Sequence, residues 1–336
     1  MKKSLLIAAS ALIVFASCTK VSIRHEDKNP QEIALFSVNK NMTKGAINNG
    51  GAFPDTYPMQ VSAYLASGTG ATAGEYFANK TFSNSLGNVW TGGQYWPLSD
   101  SQINFFAVAP EIGNNTNGVK TTFNEIKESK KKATTTVTGN NINQYDVMYA
   151  LGQGSHTATE AYENVNMKFM HALSWINFTV SKGATTPEIT VNRITVNDVA
   201  FDGTATFSVD EANYTSVTKT DVDSKEVEIL SWTSTTIENK TLDPADITLL
   251  TTETPIPNGM LVIPGTYTNP SFTINYSVTQ DGKTFTYDYT HSLETTTWAA
   301  GTKYCYDIVI TLQQIKITPS VDNWDSSPDK TINIEK

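Results

Sequence analysis

The sequence has almost no arginine. Of 336 residues only Arg24 and Arg193 carry a guanidinium, and the formal net charge is −9. Neutralising phosphates takes a basic face, so nucleic acid is excluded as a partner. The one lysine run, Lys130–Lys132, lies among Thr and Gly and reads as a solvated loop. Cysteine is as scarce: Cys18 and Cys305 stand alone. Cys305 lies between Tyr304 and Tyr306 in an alternating segment and reads as a small packed side chain rather than a nucleophile. There are four histidines. His156 and Glu160 have i, i+4 spacing, which would align them on a helix, but no third ligand follows at a clear spacing, and zinc needs three or four. His171 alternates with apolar residues and reads as a packed histidine with a satisfied hydrogen bond. No metal and no other cofactor is expected.

Catalytic signatures are missing as well. There is no nucleophile elbow, no phosphate-binding glycine loop, no dinucleotide fingerprint and no calcium-loop pattern. Acidic pairs such as Asp221/Asp223 and Asp322/Asp325 could serve a glycosidase only if folding set them roughly 5–10 Å apart. No enzyme is expected. Tryptophan could stack on sugars, but Trp90, Trp96, Trp175, Trp232, Trp298 and Trp324 are scattered along the chain, which suits packing between strands better.

Long apolar runs are absent except at the start. Leu5 to Phe15 is too short to span ~30 Å of hydrocarbon as a helix. Preceded by Lys2 and Lys3 and followed by Ala16-Ser17-Cys18, it makes residues 1–18 an export signal that ends in a lipobox, with Cys18 the acylated residue. An ordinary secretory signal with an incidental cysteine is the alternative. The acidic body would be held to outer-membrane lipid by its acyl chains rather than by headgroup attraction.

What the sequence has is threonine (48) and asparagine (28), with 20 Gly, 13 Pro, 14 Phe and 14 Tyr. Thr, Phe and Tyr favour strands, while Asn, Gly and Pro favour turns, so the composition predicts an all-β fold. The length suits two domains of roughly 100–200 residues each. Residues 19–30 read as a tether, and Gln31–Asn39 as a strand that would bury either Ile33 and Leu35 or Ala34, Phe36 and Val38. Lys40–Tyr57 reads as a loop. Met59, Val61, Ala63 and Leu65 then alternate with Gln60, Ser62 and Tyr64. Strands are also expected at Tyr76–Phe82, Val89–Trp90, Ile103–Ala109, Asp146–Leu151 and Met167–Val180. In the second half they are expected at Glu188–Val199, Thr204–Val209, Val227–Trp232, Met260–Ile263, Ser271–Val278, Thr284–Tyr289 and Tyr304–Ile317. Ala161–Met170 is the best short-helix candidate. Many short strands bounded by turn residues favour sandwiches over a parallel α/β sheet.

Several segments in order carry a family resemblance. They are Cys18, the strand Ile33–Val38, Thr43-Lys44-Gly45, Tyr95-Trp96-Pro97, residues 103–110 (INFFAVAP), residues 146–150 (DVMYA), residues 169–174 (FMHALS), residues 298–306 (WAAGTKYCY) and residues 321–324 (VDNW). Together they resemble the fimbrillin (type V pilin) family of Bacteroidales, in its fimbrillin-like lipoprotein branch. The resemblance implies two transthyretin-like (Greek-key type) β-sandwich domains in tandem, which we place at 45–175 and 176–336 after a tether and removable strand at 19–44. It also implies a surface-exposed outer-membrane lipoprotein, a stalk or tip subunit that pairs with other pilin subunits and supports adhesion to a host or bacterial surface ligand. Assembly would follow proteolytic removal of the N-terminal strand (Ile33, Leu35, Phe36, Val38). Family members are cut after Arg; here Lys44 stands at the matching place, and Arg24 lies before the strand, so a cut there would not release it. The stretch 329–336, with Ile332 and Ile334 on one face, reads equally as a donor strand, a last strand of the second domain or a frayed tail.

Overall fold

The computed structural model describes residues 31–37, 58–68, 74–86, 89–109, 119–120, 131–137, 146–157, 164–184, 186–209, 230–242, 244, 246–257, 259–311, 314–323 and 332–333. Among them there is no helix, and hence none long and apolar enough to cross a membrane. The fold is all-β, as the composition predicts.

The strands are β1 (Glu32–Ser37), β2 (Met59–Gly68), β3 (Gly74–Leu86), β4 (Val89–Tyr95), β5 (Ser101–Ala109), β6 (Val119–Lys120), β7 (Lys131–Val137), β8 (Met148–His156), β9 (Val165–His171), β10 (Ser174–Lys182) and β11 (Glu188–Val209). There follow β12 (Leu230–Leu242), β13 (Ile247–Thr248), β14 (Thr254–Pro255), β15 (Met260–Val262), β16 (Gly265–Tyr267), β17 (Ser271–Gln280), β18 (Lys283–Ser292), β19 (Thr296–Trp298), β20 (Thr302–Ile310), β21 (Ile315–Asn323) and β22 (Ile332–Asn333). The first half closes into a barrel in the order β1-β4-β3-β2-β5-β8-β9. The second half is a sandwich. One sheet runs β14-β10-β20-β21-β22, with β15 also on β10. The other runs β18-β17-β11-β7-β6, with β12 and β13 on the far edge of β11. A small ribbon, β16-β19, lies beside them.

Two hydrophobic clusters result. The first fills the barrel with Ile33, Leu35, Met59, Val61, Phe82, Trp90, Phe105, Met167 and Phe169 among others. The second lies between the sandwich sheets, where Phe272 meets Phe178 edge-on (5.1 Å between centroids) and Tyr306 (4.7 Å). The clusters are contiguous through β5 and β8. On β5, Ile103, Phe105 and Ala107 point into the barrel, while Phe106 and Val108 belong to the second cluster. Phe106 and Tyr149 meet Phe207 of β11 at 5.1 and 4.9 Å. The unbroken apolar run at 105–109 is thus part of a strand buried on both faces.

Several segments differ from expectation for local reasons. The stretch read as a single strand over Met167–Val180 is two, β9 and β10, with a break at Ala172-Leu173. The break is fixed by bonds that leave the ladder: Ala172 N–H to Val147 C=O (2.8 Å), Gly301 N–H to Leu173 C=O (2.9 Å) and the Trp232 indole to Ala172 C=O (2.8 Å). His171 is buried there with its Nδ1 2.7 Å from Asp146 Oδ2, the satisfied histidine the alternation predicts. The described part of the helix candidate, 164–170, is extended because Val165, Met167 and Phe169 point into the barrel with period two. Tyr304–Ile317 also splits, into β20 and β21, at a turn closed by Thr311 N–H to Gln314 C=O (2.9 Å). Conversely, Glu188–Val199 and Thr204–Val209 are one 22-residue strand. A bulge at Asp198 (φ 61°), whose N–H bonds Asn239 Oδ1 at 3.0 Å, lets it bend without ending. Ser62, on the face opposite Val61 and Ala63, is also buried and accepts the Asn79 N–H at 3.0 Å. Finally, β7 pairs with β11, so residues 131–137 join the second sheet system although they precede the 175/176 boundary.

One lysine opposes folding. Lys240 on β12 lies over the Phe201 ring (5.0 Å), and burial pushes its ammonium down to about 8 against the pull of Asp202 and Glu238. The folded chain therefore holds this proton less tightly than the unfolded chain, whose lysine keeps its ordinary value of 10.5. The stability contributed by this group rises as pH climbs from about 8 to 10.5. Lys240→Met should be more stable than the parent at neutral pH, and the difference should shrink toward pH 10. Urea denaturation at several pH values measures it.

Candidate functional site

The first strand occupies a slot in the barrel wall. It runs antiparallel to β4, pairing Ala34 with Thr91, Leu35 with Trp90 and Phe36 with Val89. On its other side it runs parallel to β9, pairing Leu35 with Val165, Phe36 with Asn166 and Ser37 with Met167. Alternation decides which face is buried: Ile33 and Leu35 are fully buried in the barrel core, and Phe36 is only half-buried. The two aliphatic side chains stabilise the docked strand by roughly 3–6 kcal/mol together, with about 1 kcal/mol net from each ladder hydrogen bond.

The entry end is latched. Trp96 N–H donates to Gln31 C=O (2.9 Å), and Gly93 N–H donates to Glu32 Oε1 (2.7 Å). Glu32 pairs with Tyr95 and Ala34 with Thr91, so β4 spends two more residues than β1 between them. Gly92-Gly93 makes this bulge possible. Gly93 has φ +65°, and a Cβ on Gly92 would lie 2.6 Å from Phe82 Cδ2. The buried Trp96 ring lies over Gly154 of β8, where a Cβ would sit 2.7 Å from its Cη2. It meets Phe105 edge-on at 6.0 Å.

Covalently, β1 hangs on residues 38–57 alone on its C-terminal side. Its neighbours in the barrel are β4 and β9, not the next strand in sequence, β2. Val38 and Lys44 fall in this connection and, with Cys18 and Arg24, lie outside the described residues. At the other end of the chain, Ile332–Asn333 pairs antiparallel with Val321 and Ser320, adding β22 to the sheet edge, while Ile334 lies outside the described residues. This is the arrangement of the last-strand alternative; the structure does not bring these residues to the β1 slot.

Among the described residues no three His, Cys, Asp or Glu side chains converge as a metal site. His156 is buried beside Trp96 (6.4 Å), and burial lowers its pKa against the opposing charge of Asp100. Trp90, Trp96, Trp175 and Trp298 are buried, as packing tryptophans should be. Among the described residues the exposed aromatics are instead Tyr76, Tyr95, Phe285 and Tyr287, which composition could not single out. Tyr76 and Tyr95 are neighbours: the Tyr76 hydroxyl donates to Tyr95 C=O at 2.6 Å.

The family model described as fimbrillin-like matches residues 46–324, and the chain belongs to that family. No curated protein matches it. Among solved structures, a fimbrial protein from Bacteroides vulgatus shares the fold, with a TM-score of 0.56 and 18% identity over 87% of this chain and 99% of that one. Candidate cell-adhesion proteins from Bacteroides uniformis (TM-score 0.46, 17% identity, 87% and 98% covered) and Bacteroides ovatus (0.47, 15%, 88% and 98%) are also similar.

Leu35→Ala should lower stability by about 2–5 kcal/mol, the cost of emptying a buried leucine site. Its effect should appear as faster proteolysis within residues 31–57, read by mass spectrometry of the fragments.

Proposed function

We propose that this chain is a non-enzymatic subunit of a surface fimbria that supports adhesion. In this reading it is exported as a lipoprotein through Cys18, cut at Lys44, and assembled when a strand of a sister subunit enters the slot that β1 vacates. The observation that carries the reading is the docking of β1. A short strand with two fully buried side chains completes two ladders yet depends on a single backbone connection on its C-terminal side.

The physics follows from that connection. While it is intact, β1 competes for the slot at the millimolar effective concentration of a tethered segment, and no free strand displaces it. A cut between β1 and β2 removes that advantage. Once β1 leaves, β4 and β9 present unpaired edges over an apolar trough, a template for strand addition. Cutting at Arg24 would leave β1 tethered, so Lys44 is the productive position. The C-terminal stretch with Ile332 and Ile334 is the donor in this scheme. It would leave a two-residue pairing at a sheet edge to enter the slot, a low cost.

A second reading has an observation of its own. Tyr76 and Tyr95 form an exposed aromatic pair, which suits a surface lipoprotein that holds a glycan and never polymerises.

Limited trypsin digestion separates the two. Strand exchange expects the protein cut at Lys40 or Lys44 to form oligomers as β1 is lost, seen by light scattering on a sizing column, and the double variant Lys40→Gln/Lys44→Gln to block them. A cut protein that remains monomeric at high concentration, and binds glycan with an affinity that Tyr95→Ala weakens, is the outcome for the second reading. Cys18→Ser should move the protein from the membrane fraction to the soluble fraction and abolish palmitate labelling. Unchanged membrane association would refute lipidation at Cys18.

A further inference from the structure

The hairpin β17–β18 carries a feature the slot does not use. Its ten pairs run without a register shift from Ser271↔Ser292 to Gln280↔Lys283, closed by Asp281-Gly282 with both residues at positive φ (51° and 74°). One face carries Ile274, Tyr276 and Val278 opposite Tyr289, Tyr287 and Phe285, with Tyr276 and Tyr287 at 5.6 Å. The other face is a polar ladder: Thr273–Thr290 (2.9 Å), Asn275–Asp288 (2.7 Å), Ser277–Thr286 (3.1 Å) and Thr279–Thr284 (3.0 Å).

β18 ends its sheet, and among the described residues no strand lies beyond it. Phe285 is 51% exposed and Tyr287 47%. Natural edges of this length are blunted by a bulge, a proline or a central lysine. β18 has none of these. Lys283 sits at the turn, and Asp288 is engaged by Asn275. Among the described residues, this ten-residue edge is open to another strand.

The sequence of that edge points to its occupant. Residues 284–290, Thr-Phe-Thr-Tyr-Asp-Tyr-Thr, form a palindrome in chemical class about Tyr287. In an antiparallel ladder directly opposed residues share a face, so a two-fold axis through Tyr287 would set Phe285 against Tyr289 of the second copy and Tyr287 against Tyr287. On the polar face Thr286 would meet Asp288 and Thr284 would meet Thr290, with no like charges opposed. Moving the axis to Thr286 would set Lys283 against Tyr289. Moving it to Asp288 would set Phe285 against His291. Only the axis at Tyr287 pairs all the aromatics, and such cross-strand pairs are the unit of sheet stabilisation.

We propose that β18 is a homodimer edge: two copies of this chain pair antiparallel through β18 about a two-fold axis at Tyr287. One strand pair buries little surface by the standards of stable complexes, so the dimer is weak and reversible in solution. The contact involves neither β1 nor its slot.

The test uses the uncleaved chain with Lys44→Gln, so that β1 stays docked, and with Cys18→Ser and Cys305→Ser to remove other thiols. Tyr287→Cys places a thiol on the axis, where opposed Cα atoms lie within disulfide range. Mild oxidation should give a disulfide dimer. Thr290→Cys alone should give none, whereas mixing Thr284→Cys and Thr290→Cys chains should give the heterodimer. In sedimentation velocity, the chain without added cysteine should show a concentration-dependent dimer that Tyr287→Lys abolishes and Ile237→Lys, an exposed apolar site elsewhere, leaves unchanged. Failure of Tyr287→Cys to cross-link, equal cross-linking by Thr290→Cys, or a dimer indifferent to Tyr287→Lys would overturn the proposal.

Discussion

The barrel depends on one strand that satisfies two edges at once. Without β1, β4 and β9 would each present unpaired N–H and C=O groups, and the space of Ile33 and Leu35 would open above Trp90, Val165 and Met167. Unpaired backbone is costly only where water cannot reach it, and the slot is dry on its inner side. The latch at Gln31 and Glu32 holds the entry end, and the Gly92-Gly93 bulge shapes β4 to meet it. The same pattern recurs in the second half, where β10 is paired parallel with β20 in the middle of its sheet. That ladder runs from Trp175 to Lys182, far longer than the Leu35-to-Ser37 ladder of β1 with β9. The two halves thus use one device at different strengths, and the weaker version holds the strand whose release the proposed assembly requires.

The second core explains why such a release need not unfold the chain. In the barrel order β1-β4-β3-β2-β5-β8-β9, β5 lies across the ring from β1. The outward faces of β5 and β8 are cemented to β11 by Phe106, Tyr149 and Phe207. The corner between β9 and β10 is tied by His171 to Asp146, by Trp232 to Ala172 and by Gly301 to Leu173. The wall that carries the most packing is therefore remote from the slot. Local opening is drawn from elements with few buried contacts, and β1 supplies only two fully buried side chains.

How much of this the sequence disclosed follows the range of the forces. Period-two alternation locates most strands, because burial of one face is written residue by residue, but in β1 it left open whether Ile33 and Leu35 or Ala34, Phe36 and Val38 face the core. Strand ends were legible only where Gly, Pro or Asn enforces them. The break at Ala172-Leu173 comes from carbonyl partners far along the chain, and the continuity of β11 through Asp198 comes from the amide of Asn239 on another strand. Neither leaves a local mark. The latch was hidden in the same way: Glu32 reads as one more polar residue, and its acceptor role exists only because Gly93 turns its N–H toward it. β18 shows the converse difficulty. Its alternation is as regular as that of a half-buried strand, and nothing within it says that no neighbour lies beyond among the described residues.

Two edges of opposite symmetry follow from the two proposals. A donor strand from one subunit entering the slot of the next is a head-to-tail contact, and such contacts, when they do not close, propagate as open filaments. Pairing through β18 is self-complementary and stops at two. The first needs a covalent cut before it can begin, whereas the second is available to the intact chain. A surface-tethered population would therefore meet first through β18, at the high local concentration that anchoring imposes, and polymerise only after processing. Contacts of both kinds on one chain would join filaments side by side. The weak edge then gains from multivalency along the filament what it lacks in a single pair.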